Sequence, residues 1–165
     1  MSLHIEPFVV NDSNIDGLKI ISAKMSTDDR GTVRELFRGS IYSEVLPETV
    51  TGWKQINLTK TKKGAVRGLH GEAMSKLVTV AYGAVFGAYV DTRPDSKTFG
   101  AVQTVHITPG VQVFVPQGVR SGCRCRIQSE VRIGIRRGLR AARGSCLLRG
   151  AGLAYPDTEY LHSDE

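Results

Sequence analysis

Cysteine is scarce in this chain and odd in number: Cys123, Cys125 and Cys146 among 165 residues, with no Cys-x-x-Cys pair. That spacing argues against a disulfide framework and against a structural zinc site, so the three read as free thiols. Histidine is equally thin, with four residues and no His-x-His. His106 has no ligand partner at metal spacing, Glu72 is the single nearby carboxylate in the histidine-bearing region, and His4 and His162 sit near the ends as solvated groups. Neither a metal nor a cofactor is expected. No apolar run reaches the eighteen or so residues of a membrane span, and the opening Met-Ser-Leu-His-Ile-Glu-Pro lacks a basic stretch followed by an apolar one. The expected location is the cytoplasm, with no membrane partner.

With 41% apolar and 23% charged residues, the composition is that of an ordinary globular protein, and residues 1–165 are expected to form a single domain. The net charge of +6 is unevenly spread. Residues 1–119 hold thirteen basic and eleven acidic side chains, residues 120–149 hold nine arginines, no lysine and Glu130, and residues 150–165 carry four acids and no base. Basicity is therefore the property of one segment.

The pattern is β throughout. Ile20 to Met25 and Gly52 to Thr59 read as strands. Lys76 to Asp91 carries two apolar runs parted by Tyr82-Gly83, which predicts a hairpin. Val102 to Thr108 and Val111 to Val115, joined through Pro109-Gly110, predict a second. A helix is expected only near Arg34 to Tyr42. Many short strands at spacings near ten residues point to a sandwich, jelly roll or barrel. Internal repeats and low-complexity linkers are lacking.

The candidate chemistry lies at Val66-Arg67-Gly68-Leu69-His70 and at Lys76, which heads the run Leu-Val-Thr-Val. An arginine, a histidine and a lysine at the edge of a buried strand are costly to place together, which suggests a site.

Seven motifs follow one another in the order of a known family: Asp28-Asp29-Arg30-Gly31-Thr32-Val33-Arg34-Glu35-Leu36-Phe37, Gln55-Ile56-Asn57, Arg67-Gly68-Leu69-His70, Lys76, Val90-Asp91-Thr92-Arg93, Ser96-Lys97-Thr98-Phe99-Gly100 and Val115-Pro116-Gln117-Gly118-Val119. Over about residues 20–119 the chain resembles the dTDP-4-dehydrorhamnose 3,5-epimerases. The resemblance implies an all-β, cupin-type jelly roll (double-stranded β-helix) with few short helices. It also implies a homodimer, no metal, and a dTDP-4-keto-6-deoxy sugar as substrate. The short link Gly71 to Ser75 resembles a branch found in actinobacterial deoxysugar pathways.

Such a reaction needs three groups: a base for the hydrogen next to a ketone, a cation or donor for the enolate oxygen, and an acid on the opposite face. His70 fits the base, since a partly buried imidazole stays neutral near working pH; the plain alternative is a hydrogen-bonded strand histidine. Lys76 fits the enolate stabiliser, against an ordinary strand-edge lysine reaching for solvent. Arg67 suits a diphosphate or a carboxylate, or else an internal salt bridge. By resemblance Arg30, Glu35, Gln55 and Asn57 contact the nucleotide or sugar, some of them across a dimer interface. Val33 stands where the family often has an aromatic residue stacked on thymine. Asp91 and Arg93 read as a structural pair at a strand end.

After Val119 the family pattern stops. The chain has no tyrosine between Tyr89 and Tyr155 and no aspartate between Asp95 and Asp157, so the family's catalytic tyrosine and the histidine's aspartate partner find no counterpart. Arginine without lysine, with all three cysteines and many glycines, is what GC-rich coding DNA gives when read out of frame. Gly152-Leu153-Ala154-Tyr155-Pro156 then resembles the family again. Residues 120–149 are therefore read as an atypical, frame-shifted stretch in which strand alternation is poor, although Val131, Ile133 and Ile135 fit a strand. Two rival functions follow: a cupin that binds the sugar nucleotide without turning it over, and a basic nucleic-acid-binding protein. The second is disfavoured because the Arg-rich stretch has no aromatic residue and no recognised nucleic-acid motif.

Overall fold

The computed structural model describes residues 3–46, 55–126 and, for the backbone, 129–131. Its strands are β1 (His4–Glu6), β2 (Val9–Asp12), β3 (Lys19–Ser22), β4 (Met25–Asp28), β5 (Gly31–Arg34), β6 (Thr59–Thr61), β7 (Val66–His70), β8 (Lys76–Tyr82), β9 (Val85–Asp91), β10 (Val102–Ile107), β11 (Val111–Val115), β12 (Val119–Cys125) and β13 (Ser129–Val131), with one helix, α1 (Gly39–Val45). They form a six-stranded sheet ordered β2-β3-β11-β8-β13-β6, a four-stranded sheet ordered β10-β9-β12-β7, and a small sheet ordered β1-β4-β5. All pairings are antiparallel. From β7 to β13 the chain passes repeatedly between the two larger sheets, the winding of a cupin-type jelly roll, as the resemblance implied.

Both predicted hairpins are overturned. β8 lies in the six-stranded sheet and β9 in the four-stranded one, and β10 and β11 are likewise split. The Tyr82-Gly83 and Pro109-Gly110 turns are arches that carry the chain across the sandwich. The true hairpin joins β9 to β10, with Val102 opposite Val90 and Ile107 opposite Val85. Alternation of side chains marks a strand without naming its partner. The strand expected over Ile20 to Met25 is divided between β3 and β4, which belong to different sheets. Of Gly52 to Thr59, the first three residues lie outside the described residues, 55–58 are not strand, and Thr59 opens β6. The helix begins at Gly39, five residues later than expected.

Period-two alternation on β8 and β11 separates two apolar layers. Val78, Val80, Val113 and Val115 face the four-stranded sheet and pack with Val85, Tyr89, Val105, Ile107, Val119, Cys123 and Cys125. Leu77 and Phe114 face the other way and pack with Ile21, Tyr42 and Leu46 under α1. Covering both faces explains why β8 reads as an unbroken apolar run. Tyr42 donates to Gln112 Oε1 at 2.5 Å and Gln112 Nε2 donates to the Leu36 carbonyl at 2.9 Å, which pins the helix and its approach to β11.

The expectation of poor alternation after Val119 is corrected for β12, the described part of that stretch. In β12, Val119, Ser121, Cys123 and Cys125 are buried at every second position, while Arg120 and Arg124 between them are half-buried. The two arginines take the alternate positions without breaking the buried row, and Arg120 Nη1 is itself buried with no hydrogen-bond partner among the described residues. Val131 ends β13, whereas Ile133, Ile135, Cys146 and the rest of the Arg-rich stretch lie outside the described residues.

Candidate active site

The site begins with an irregularity in β7. His70 is paired with Ser121 and Arg67 with Cys123, so two residues, Gly68 and Leu69, oppose the single Gly122. Residues three apart on a regular strand face opposite ways; one extra residue brings Arg67 and His70 to the same face. Cross-strand partners share a face, and Cys123 belongs to the core between the sheets. Both side chains are therefore directed to the inner side. Gly68 holds φ +112°, and a β-carbon there would lie 2.4 Å from Gly122 Cα and 2.8 Å from the Ser121 carbonyl oxygen. That is why the Arg-x-x-His spacing has glycine after the arginine.

Lys76 starts β8 on the same side as Val78 and Val80, and it is buried. Its Nζ donates to Ser121 Oγ at 2.9 Å, bridging the six-stranded sheet to the four-stranded one, and lies 3.5 Å from Glu72 Oε2. The reading as a strand-edge lysine snorkelling to solvent is thereby overturned. Arg67 Nε reaches the opposite sheet too, donating to Thr61 Oγ1 at 3.1 Å. In one row across the four-stranded sheet stand Gln103, Tyr89, Ser121 and His70. Tyr89 is buried with its hydroxyl over Gly87, one row deeper. His70 itself is exposed on the edge strand, not partly buried as expected, and its imidazole has no hydrogen-bond partner among the described residues.

Beside this mouth, Asp91 closes the β9–β10 connection. Its side chain is fully buried and accepts from Arg93 Nε at 2.9 Å, Arg93 Nη2 at 2.7 Å, Ser96 Oγ at 2.6 Å and Thr98 Oγ1 at 2.7 Å. The Arg93 guanidinium, helped by the two hydroxyls, holds this carboxyl far below the ordinary range despite its burial. The pair is structural, as its sequence position suggested.

Of the other expected contact residues, Arg30 and Glu35 lie elsewhere, while Gln55 and Asn57 precede β6, whose Thr61 accepts from Arg67. Arg30 is exposed in the β4–β5 turn and pairs with Asp28 at 2.6 Å, which holds that carboxyl below its usual range. Glu35 pairs with Arg38, and Gln55 donates to Asn57 at 2.9 Å. Arg34 ties β5 to the carbonyls of Val80 (3.3 Å) and Ala81 (2.8 Å), at the far end of β8. At about 3.3 Å per residue, that is roughly 15 Å along the strand from Lys76. Within one chain, therefore, Lys76, His70 and Arg67 come together, while Arg30 and Glu35 do not join them. His106 Nε2 faces Arg126 Nη1 at 3.0 Å.

Ser121 was missed from sequence because it lies in the segment that departs from the family pattern. The signal was the buried alternation Val119, Ser121, Cys123, Cys125.

A sequence model of the dTDP-4-dehydrorhamnose 3,5-epimerases matches residues 12–131, about three quarters of the chain and all the strands from β3 to β13. The chain belongs to this family. It is 35% identical over 120 residues to the dTDP-4-dehydrorhamnose 3,5-epimerase of Salmonella typhimurium, covering 69% of this chain and 65% of that one. The Escherichia coli enzyme of the same name is 34% identical, with 62% of its length covered. The chain thus spans a little under two thirds of these curated relatives. Among solved structures, the dTDP-6-deoxy-D-glucose-3,5-epimerase of Legionella pneumophila, in complex with dTDP-4-keto-L-rhamnose, superposes with a TM-score of 0.74 at 30% identity, covering 81% of this chain and 74% of that one. No helix among the described residues is long and apolar enough to cross a membrane.

Proposed function

We propose that this protein epimerises C3, C5 or both of a dTDP-4-keto-6-deoxyhexose in deoxysugar biosynthesis, acting in the cytoplasm without a metal or other cofactor. The observation that carries the reading is the buried Lys76 ammonium, held between the sheets on the inner side to which His70 and Arg67 are also directed. His70 removes the proton next to the C4 ketone, and the electron pair moves into the carbonyl. Lys76 holds the enolate oxygen that results, a charge-assisted contact worth about 3 kcal/mol in the transition state. A proton taken from water on the opposite face inverts the centre, and His70 gives up the proton it took to the hydroxide that remains. Arg67 engages the diphosphate.

Arg30, Glu35, Gln55 and Asn57 contact the nucleotide or sugar, some of them across the interface of a homodimer. The three-stranded sheet leaves Ile5 and Val33 exposed, and it lies toward the end of β8 away from Lys76. Such a surface favours contact with another protein chain. Nucleic acid is not a partner in this reading.

Incubation with dTDP-4-keto-6-deoxyglucose in deuterium oxide, followed by NMR at C3 and C5, tests the proposal. Deuterium entering at either carbon, and failing to enter with His70→Ala, is the expected result. A second reading, a cupin that binds the sugar nucleotide without turnover, is favoured by one observation: the sequence holds no tyrosine between Tyr89 and Tyr155 and no aspartate between Asp95 and Asp157. Thermal stabilisation by the sugar nucleotide without deuterium exchange would select it.

A further inference from the structure

We infer that Ser121 is the positioning residue for Lys76, its hydroxyl fixing the ammonium at the mouth between the two sheets. The inference extends the epimerase reading, in which that ammonium receives the enolate oxygen.

Lysine carries its charge on a flexible four-carbon stem, so a catalytic ammonium needs a fixed acceptor to hold one rotamer. A buried ammonium also needs acceptors simply to offset its lost hydration. Glu72 and Ser121 both lie close, and they differ in kind. Glu72 is 3.5 Å away in the link between β7 and β8, with a side chain 39% exposed. Ser121 is 2.9 Å away, buried, and built into β12 with partners on both sides, Tyr89 on β9 and His70 on β7. An incoming anionic substrate can displace the rim carboxylate; it cannot displace a hydroxyl woven into a central strand.

The backbone beneath Ser121 is fixed by the same contact that builds the bulge. A β-carbon on Gly68 would meet the Ser121 carbonyl oxygen at 2.8 Å, so the glycine that turns Arg67 and His70 inward also lets β12 bring Ser121 to Lys76. An ammonium only donates, so Ser121 Oγ is the acceptor of this bond. Removing the hydroxyl frees Lys76 to lean toward the rim and Glu72.

The protein labelled with nitrogen-15 lysine tests this without substrate, the Lys76 Nζ signal being the one lost in Lys76→Arg. We expect ammonium hydrogen exchange at Lys76 to quicken at least tenfold in Ser121→Ala and to return toward the parent rate in Ser121→Thr. In turnover, Ser121→Ala should lower kcat ten- to a hundredfold with KM within about twofold, and Ser121→Thr should restore most of it. Ser121→Cys, nearly the same size but a weak acceptor, replaces the alanine variant if that does not fold. Unchanged Lys76 exchange and titration in a folded Ser121 variant would overturn the inference. A parent protein that incorporates no deuterium into the sugar, while its Lys76 signal responds as described, removes the epimerase reading and leaves the positioning role standing.

Discussion

Gly68 and Gly122 meet backbone to backbone: a β-carbon on the first would come within 2.4 Å of the Cα of the second, and one on Gly122 within 2.8 Å of the Arg67 carbonyl oxygen. Neither obstacle is a flexible side chain that can swing away. Gly68→Ala adds the strain of φ +112°, and a loss of roughly 2–4 kcal/mol in urea-induced unfolding is expected. A loss below about 1 kcal/mol would mean that the bulge is not the rigid element described here.

Lys76→Met keeps most of the buried stem and deletes the charge. If the ammonium holds the enolate, deuterium incorporation should fall by about two orders of magnitude or more. Because a buried charge is costly and a thioether is not, thermal stability should hold or rise. A variant that exchanges deuterium at the parent rate would take Lys76 out of the chemistry.

Asp91 sets the response to acid. Its carboxyl is depressed in the folded chain by Arg93, so the stabilisation it gives is complete above the unfolded value near pH 4 and fades as pH falls through the folded value. Asp91→Asn, measured at pH 7, should lose about 3 kcal/mol by leaving Arg93 beside a neutral partner. Its stability should then decline less steeply than the parent's between pH 4 and 2, which parallel denaturant titrations at several pH values would record.

Tyr42 acts at the other end of the scale. Burial pushes its hydroxyl up to about 12, with Glu35 adding to the shift and the bond to Gln112 opposing it. A raised folded value stabilises the fold below the unfolded value near 10 and loses that contribution as pH climbs toward 12. Tyr42→Phe should cost about 1–3 kcal/mol at neutral pH by stranding Gln112 Oε1, and should flatten the alkaline decline.

The β character of the chain and the cluster of Arg67, His70 and Lys76 were legible in sequence, because apolar alternation and costly polar groups both leave a local mark; the jelly roll itself came from the family resemblance. Strand partnership left none: Tyr82-Gly83 has the chemistry of a hairpin turn whether the chain doubles back or arches over to the facing sheet. The bulge was illegible for the same reason, since Gly68 shows permissiveness without showing that Gly122 occupies the space. Ser121 was hidden by its company. The arginines on either side of it dominate the composition, yet they occupy the face of β12 away from the core and leave the inward alternation intact.

The arches have a consequence for assembly in time. Between β7 and β13, β9 and β10 alone can zip together as sequence neighbours. β7 must wait for β12, some fifty residues later, and β6 for β13 at a greater separation still. Such distant pairings slow the search for the native state. During synthesis, then, the strand bearing Arg67 and His70 leaves the ribosome before Ser121 exists to receive Lys76, and the mouth cannot take shape until β12 has been made.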